Sequence, residues 1–422
     1  MSQNIINLVD TLMIGQLGSL ALAGCAIGSF IFYLSFVAFI GISSGVQTMV
    51  ARLTGASKLS RRSVPLMLGL AIALLGSFGI LLPVLGTATH IASFFSSDPV
   101  TVAVGNDYLK YRILGLPFFA MSLVIRGFWN GVGTPMRYLK IIIGVHLMNI
   151  CLNYALIFGQ FGAPTMGAAG AGLASTVSLF FGIALLTIDI RSHISIPRSK
   201  ITIKRYLQWM LSLSAPISIQ QFIEATGVVC FFWILGQLGS NALAIGHVLV
   251  NIGLVALLPG IGLGLATMTL VSESIGRHDV DSARYWPTQV HRVGKIIIGF
   301  FSIVALVVPM LLLRPFITDL SLLSMAKWPM QLDAIALFFE VGAIIYMHAL
   351  NGADQTARVA MASCILQWLI LLPLTYVVGV KAGLGIHAIW ELGVAFQVIQ
   401  FLIFKGLWKR YSRRLKQLPI HP

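Results

Sequence analysis

The sequence predicts an all-α membrane protein of twelve transmembrane helices in two pseudo-symmetric six-helix lobes. Three observations predict it. The first is composition. Of 422 residues 57% are apolar and 10% are charged, and the mean hydropathy is +0.91. Soluble domains average about 45–50% apolar and about 25% charged residues. The second is pattern. The apolar runs are continuous, whereas strands of a membrane barrel alternate apolar and polar positions. The third is repetition. GQLGS at 15–19 returns at 236–240, an offset of 221, about half the chain. NGVGTP (130–135) faces NGADQT (351–356) at the same offset, GVQTM (45–49) faces GLATM (264–268) at 219, and GISSG (41–45) faces GIGLG (260–264).

Twelve apolar segments, each near the roughly 20 residues that a span needs, lie at about 1–16, 25–50, 64–86, 106–128, 137–159, 168–188, 207–235, 242–271, 293–313, 330–350, 357–378 and 384–404. The first is short. Its repeat partner begins near Arg205, so the opening helix is expected to be truncated by about fifteen residues. No basic stretch precedes it, so it does not read as a cleaved signal peptide.

Charge sets the orientation. The net charge is +15, and 23 of the 28 Lys and Arg fall on one side of the predicted spans. That placement argues against nucleic acid as a partner and, by the positive-inside rule, makes the rich side cytoplasmic. Both termini are then cytoplasmic, in a multi-pass protein of the cytoplasmic (inner) membrane. Each half has an even number of spans, so the two are parallel repeats, with a substrate site expected at their interface. The expected organisation is an N-terminal lobe over 1–188, a cytoplasmic linker over 189–205, a C-terminal lobe over 206–408 and a basic tail over 409–422. The four cysteines (Cys25, Cys151, Cys230, Cys364) sit singly on apolar stretches, a spacing that suits neither a metal nor a disulfide.

Charge inside lipid is expensive and marks function. Of 13 acids most fall in connections; Asp10, Glu224, Asp333, Glu340 and Glu391 do not. Asp10 lies in the first span, Glu224 near the middle of the seventh beside Pro216, Gln220 and Gln221, and Glu340 ten residues into the tenth. These three are the candidate cation- or proton-coupling residues. A carboxylate that holds Na⁺ or H⁺ in one state and a cationic cargo in another couples inward ion flow to outward cargo flow. Gln47, His146, Asn149, Asn153, Gln220, His247, Asn251 and Asp333 are candidate cavity-lining residues; His146, Asn149 and Asn153 form one stripe of a helix, and His247 and Asn251 another. Lys and Arg are almost absent from the spans on this reading, with Lys110 and Arg112 assigned to an outer connection. That favours cationic over anionic cargo. The chain carries no HExxH, no Walker glycine loop and no serine–histidine pairing, so it does not read as an enzyme or a nucleotide-driven pump.

At VDTLMIGQLG (9–18), RGFWNGVGTP (126–135) and MGAAGAGLAS (166–175) the chain resembles the multidrug and toxic compound extrusion (MATE) family. LGIHAIWEL (384–392) is similar to a weaker second copy of the third motif. The resemblance implies twelve spans in two lobes around a V-shaped cavity. It also implies a secondary antiporter that exports small cationic amphiphilic drugs by alternating access, driven by Na⁺ or H⁺ and needing no other cofactor. It places the family's acidic residues at Asp10, Glu224 and Glu340, the last of which is commonly aspartate in bacterial members. It departs at Asn351-Gly352, where the family usually has Arg-Gly. The expected partners are cationic organic substrates, the coupling ion and the lipid bilayer, with the chain acting as a monomer. The alternative is a flippase or exporter of a lipid-linked or metabolite cargo from the same superfamily.

Overall fold

The computed structural model describes residues 2–95, 98–191, 193–194, 202–317 and 319–415, and for 2–8 and 94 the backbone alone. Positions 192 and 195–201 of the expected linker and 416–422 of the tail lie outside the described residues. Helices account for nearly everything else. They are α1 (Ser2–Gly15), α2 (Ser19–Gly55), α3 (Ser63–Phe95), α4 (Pro99–Ile113), α5 (Leu116–Val132), α6 (Pro135–Phe158) and α7 (Gly167–Arg191). After the linker come α8 (Ile203–Gln237), α9 (Ser240–Gly276), α10 (Val280–Val307), a short α11 (Pro309–Leu313) and α12 (Leu320–Gly352). The chain ends in α13 (Thr356–Cys364), α14 (Leu372–Tyr376) and α15 (Gly385–Arg414).

Among the described residues ten helices are long and apolar enough to cross a membrane; α4 and α5, bent by 51° at their junction, make an eleventh. The remaining predicted span is α1, whose 14 residues extend about 21 Å against a hydrocarbon core of about 30 Å. Span four, expected as one run over 106–128, is therefore the broken pair α4–α5. Span eleven is continuous over Thr356–Lys381, but π-helical turns at Ile365–Leu371 and Val377–Lys381 flank α14. Pro373 lies between them and cannot donate to the carbonyl one turn back, so the backbone there takes wider bonds.

Helix ends follow from local chemistry. Asp98, Asp279 and Asp319 cap α4, α10 and α12 by accepting from the amides of Thr101, Ser282 and Ser321 at 2.8, 2.9 and 2.7 Å. These bonds favour the ionised form, so each carboxyl is held below the usual aspartate range.

The chain divides into two compact units, Met1–Val50 with Lys58–Ser218, and Ala51–Ser57 with Ile219–Pro422. The core of the first is built on fully buried Leu66, Leu109, Leu116, Phe128 and Trp129. The second has three apolar clusters, around Leu235 and Trp390, around Tyr346 and Phe404, and around Ile298 and Val341.

The internal repeat has a physical counterpart in how helices touch. In the first unit Gly127 of α5 lies so close to α2 that an added Cβ would meet the Ser43 carbonyl at 2.2 Å. In the second unit the same two positions, 221 residues on, are His348 of α12 and Gly264 of α9; a Cβ on Gly264 would meet the His348 ring at 2.8 Å. One turn along, Gly131 abuts the Gln47 carbonyl and Gly352 abuts that of Met268, both at 2.6 Å for an added Cβ, again 221 apart. The left-handed residues that close α5 and follow α12, Gly133 (φ +84°) and Asp354 (φ +60°), keep this offset too. The contact register thus corrects the sequence pairing of GVQTM with GLATM. Gln47 corresponds to Met268, two positions away from the apparent match, because repeated backbone contacts fix the register and repeated letters do not.

The two contacts differ in what must yield. Gly127→Ala drives a methyl into a backbone carbonyl, whereas Gly264→Ala meets a side chain that can rotate. Gly127→Ala should cost about 1–3 kcal/mol and lower the melting temperature of the detergent-purified protein clearly more than Gly264→Ala does. Equal melting temperatures for both variants and the parent would contradict the packing described.

Candidate functional site

In the first unit a polar cluster is held at the apolar junction of five helices, α1, α2, α4, α6 and α7. Ile14, Cys25, Tyr108, Ile157 and Ala171 pack as one cluster, which seats α1 against α6 and α7 and against α4. Above it, the Asp10 carboxylate accepts from Asn153 Nδ2 on α6. In one amide orientation Asn149, one turn earlier, accepts from Asn153 Nδ2 at 3.2 Å; in the other its nitrogen faces Asp10 Oδ1 at 3.2 Å and its oxygen accepts from the Ser175 amide of α7. Asn153 is fully buried, yet its Oδ1 has no hydrogen-bond partner among the described residues. His146 continues the stripe, half-buried and with Nε2 unpartnered among the described residues. Gln47 is buried elsewhere in the unit, where its side-chain oxygen accepts from Asn130 at 3.3 Å.

The cluster also contains a cation. Arg112 of α4 is only 8% exposed, its guanidinium lies 3.9 Å from the Phe32 ring centroid, and its charge acts on Asp10. One of its terminal nitrogens has no partner among the described residues. The Tyr108 hydroxyl, one turn earlier, accepts from Ser29 Oγ at 3.1 Å and faces both charges. This corrects the placement of Arg112 in an outer connection. Arg112 is buried in the last turn of α4, just before the 51° bend into α5, with its charge acting on Asp10. The repeat register held the signal: 221 residues after Arg112 stands Asp333, so both halves carry a charge at this position.

In the second unit Glu224 is half-buried on α8. Its two carboxylate oxygens accept from Gln220 Nε2 at 2.8 Å and Gln221 Nε2 at 3.1 Å. Gln220 is 1% exposed, also donates to Ser363 Oγ of α13 at 3.0 Å, and its own Oε1 has no partner among the described residues. From the first π-helical turn Gln367 donates to the Glu224 carbonyl at 3.2 Å. Gly227 makes room for this, since any Cβ there would fall 2.0 Å from the Gln367 amide.

Asp333 and Glu340 lie on one face of α12, two turns or about 10.5 Å apart, both half-buried and near enough to repel. Trp390 of α15 stands beside Asp333. No ion pair involves Glu224, Asp333 or Glu340 among the described residues. His247 and Asn251 are exposed on α9 and bond one another at 3.2 Å, and Glu391, also exposed, accepts from Trp328 Nε1 at 3.2 Å.

The MatE family profile matches residues 1–155 and 216–377. The chain belongs to the MATE family. It is 27% identical to a protein of Bradyrhizobium diazoefficiens named "Probable multidrug resistance protein NorM", over 96% of this chain and 89% of that one. The multidrug resistance protein MdtK of Edwardsiella ictaluri is 26% identical, over 98% and 92%. Among solved structures, a MOP superfamily transporter from Pyrococcus furiosus superposes with a TM-score of 0.91 at 15% identity, over 99% of this chain and 93% of that one. The bent form of the Vibrio cholerae MATE transporter VcmN gives 0.88 at 16% identity, over 98% and 94%. These likenesses establish the twelve-helix fold. As a MATE protein the chain is a multi-pass membrane transporter and not an enzyme.

Proposed function

We propose that the chain is a secondary antiporter of the cytoplasmic membrane, acting as a monomer with both termini cytoplasmic. It exports cationic amphiphilic drugs in exchange for Na⁺ or H⁺ by alternating access. One observation carries this reading. Asp10 and Glu224 each accept from a buried amide, Asn153 and Gln220, whose own oxygen has no partner among the described residues. A buried acceptor without a donor costs about 1–3 kcal/mol. A cation or a proton bound between carboxylate and amide oxygen removes that cost and neutralises the acid. A cationic cargo competes for the same charge. The names of the NorM and MdtK relatives support drugs as the cargo.

The alternative, export of a metabolite or lipid-linked cargo, is favoured by one feature, the unpartnered nitrogen of buried Arg112. Its charge acts on Asp10, whereas Glu224, Asp333 and Glu340 form no ion pair among the described residues, so cationic cargo remains the better reading. Expression in drug-sensitive cells should lower ethidium accumulation several-fold. Unchanged accumulation with the protein confirmed in the membrane would count against drug export.

A further inference from the structure

At the end of the second unit where α13 begins and α15 finishes, a cleft of about 270 Å³ is lined by Arg358, Leu407, Arg410, Tyr411 and Arg414. Positions 407, 410, 411 and 414 share one face of α15, and Arg358 reaches it from the first turns of α13. Tyr411 is anchored, its hydroxyl donating to the Ala353 carbonyl at 3.0 Å. The nearby acid, Asp354, is paired with Arg52. No ion pair is formed by Arg358, Arg410 or Arg414 among the described residues, and all three are exposed.

We propose that this cleft binds the phosphodiester headgroup of an anionic phospholipid. Three guanidinium groups converge on a space below the roughly 300–1,000 Å³ typical of drug-sized ligands, which suits a headgroup better than transport cargo. Arginine matches phosphate through paired N–H donors. Leu407, one turn from Tyr411 along α15, gives the glycerol and upper acyl chain an apolar wall, and an interfacial tyrosine beside basic residues marks headgroup depth. Free phosphate would use the same guanidinium groups without that wall.

The bland alternative is that these arginines only add to the cytoplasmic charge excess. The other side of α15 supplies the control. Lys405, Lys409 and Arg413 lie there, at the same depth and with the same summed charge. The experiment is native mass spectrometry of the full chain in detergent with added phosphatidylglycerol, phosphatidylcholine or inorganic phosphate. Three proteins are compared: the parent, Arg358→Gln/Arg410→Gln/Arg414→Gln and Lys405→Gln/Lys409→Gln/Arg413→Gln. The expected result is retention of phosphatidylglycerol over phosphatidylcholine by the parent and the control variant, and at least about fivefold less by the cleft variant. Drug efflux by the control variant and monodisperse elution of all three show that each is folded. Equal loss in both variants, equal retention of the two lipids, or inorganic phosphate displacing the lipid at equal concentration would overturn the proposal.

Discussion

Glu224→Gln is expected to abolish drug export while the protein stays in the membrane at parental levels. The substitution keeps the shape of the side chain, so packing against Gln220, Gln221 and the π-helical segment of span eleven is undisturbed. It removes the charge toward which both glutamine amides are directed. A glutamine at 224 can accept through one oxygen only, and its own amide nitrogen then faces another donor. Glu224 is half-buried and holds its charge by two amide bonds, so its loss is worth about 1.5–3 kcal/mol, and transport should fall at least about tenfold, since each 1.4 kcal/mol is a factor of ten. Efflux rates measured with protein abundance in the same membranes check this. Export near the parental rate would remove Glu224 from the coupling site.

Asp10→Asn has a double effect, because Asp10 answers two partners. It is an acceptor for Asn153 and the negative charge beside buried Arg112. Removing it stops export and also leaves a guanidinium in the unit without its counter-charge. Breaking a fully buried pair costs about 3–5 kcal/mol; Asp10 is half-buried and acts on Arg112 from beyond ion-pair distance, so about 1 kcal/mol is the better figure. The melting temperature should therefore drop measurably. The double variant Asp10→Asn/Arg112→Gln separates the two roles. It should regain most of the lost stability, since neither charge is then stranded, and remain inactive. A double variant as unstable as the single one would show that Arg112 is not the partner. One that transports would show that Asp10 is not needed.

The extent to which these features are legible in the sequence follows from the physics that wrote them. Lipid demands long uninterrupted apolar runs, so the helices and the twofold repeat can be read directly. Register cannot be read as safely, because GVQTM and GLATM look alike two positions away from the true correspondence. That correspondence is set by Gly127 on Ser43 and Gly264 on His348, contacts between helices that no single stretch reveals. The bend between α4 and α5 is likewise a tertiary fact, and so is the burial of Arg112. A cation near the end of an apolar run reads as an outer connection unless neighbouring helices cover it. The acids were visible because charge within an apolar run is conspicuous. Their neutral partners were less so: Asn149 and Asn153 stand out as a stripe, but their joint contact with Asp10 requires α1, α6 and α7 to meet. Ser175, Ser363 and Gln367 carry no signal of their own in the sequence.

The central claim is that cation and cargo compete for the same carboxylates. Efflux from proteoliposomes under separately imposed Na⁺ and H⁺ gradients tests it most directly. Purified protein should expel a cationic dye only when one of the two gradients points inward. Raising that ion on the cargo-release side should speed release, and Glu224→Gln should erase the dependence. Dye efflux of equal rate with no ion gradient, or gradient-driven efflux that survives in Glu224→Gln, would contradict the claim.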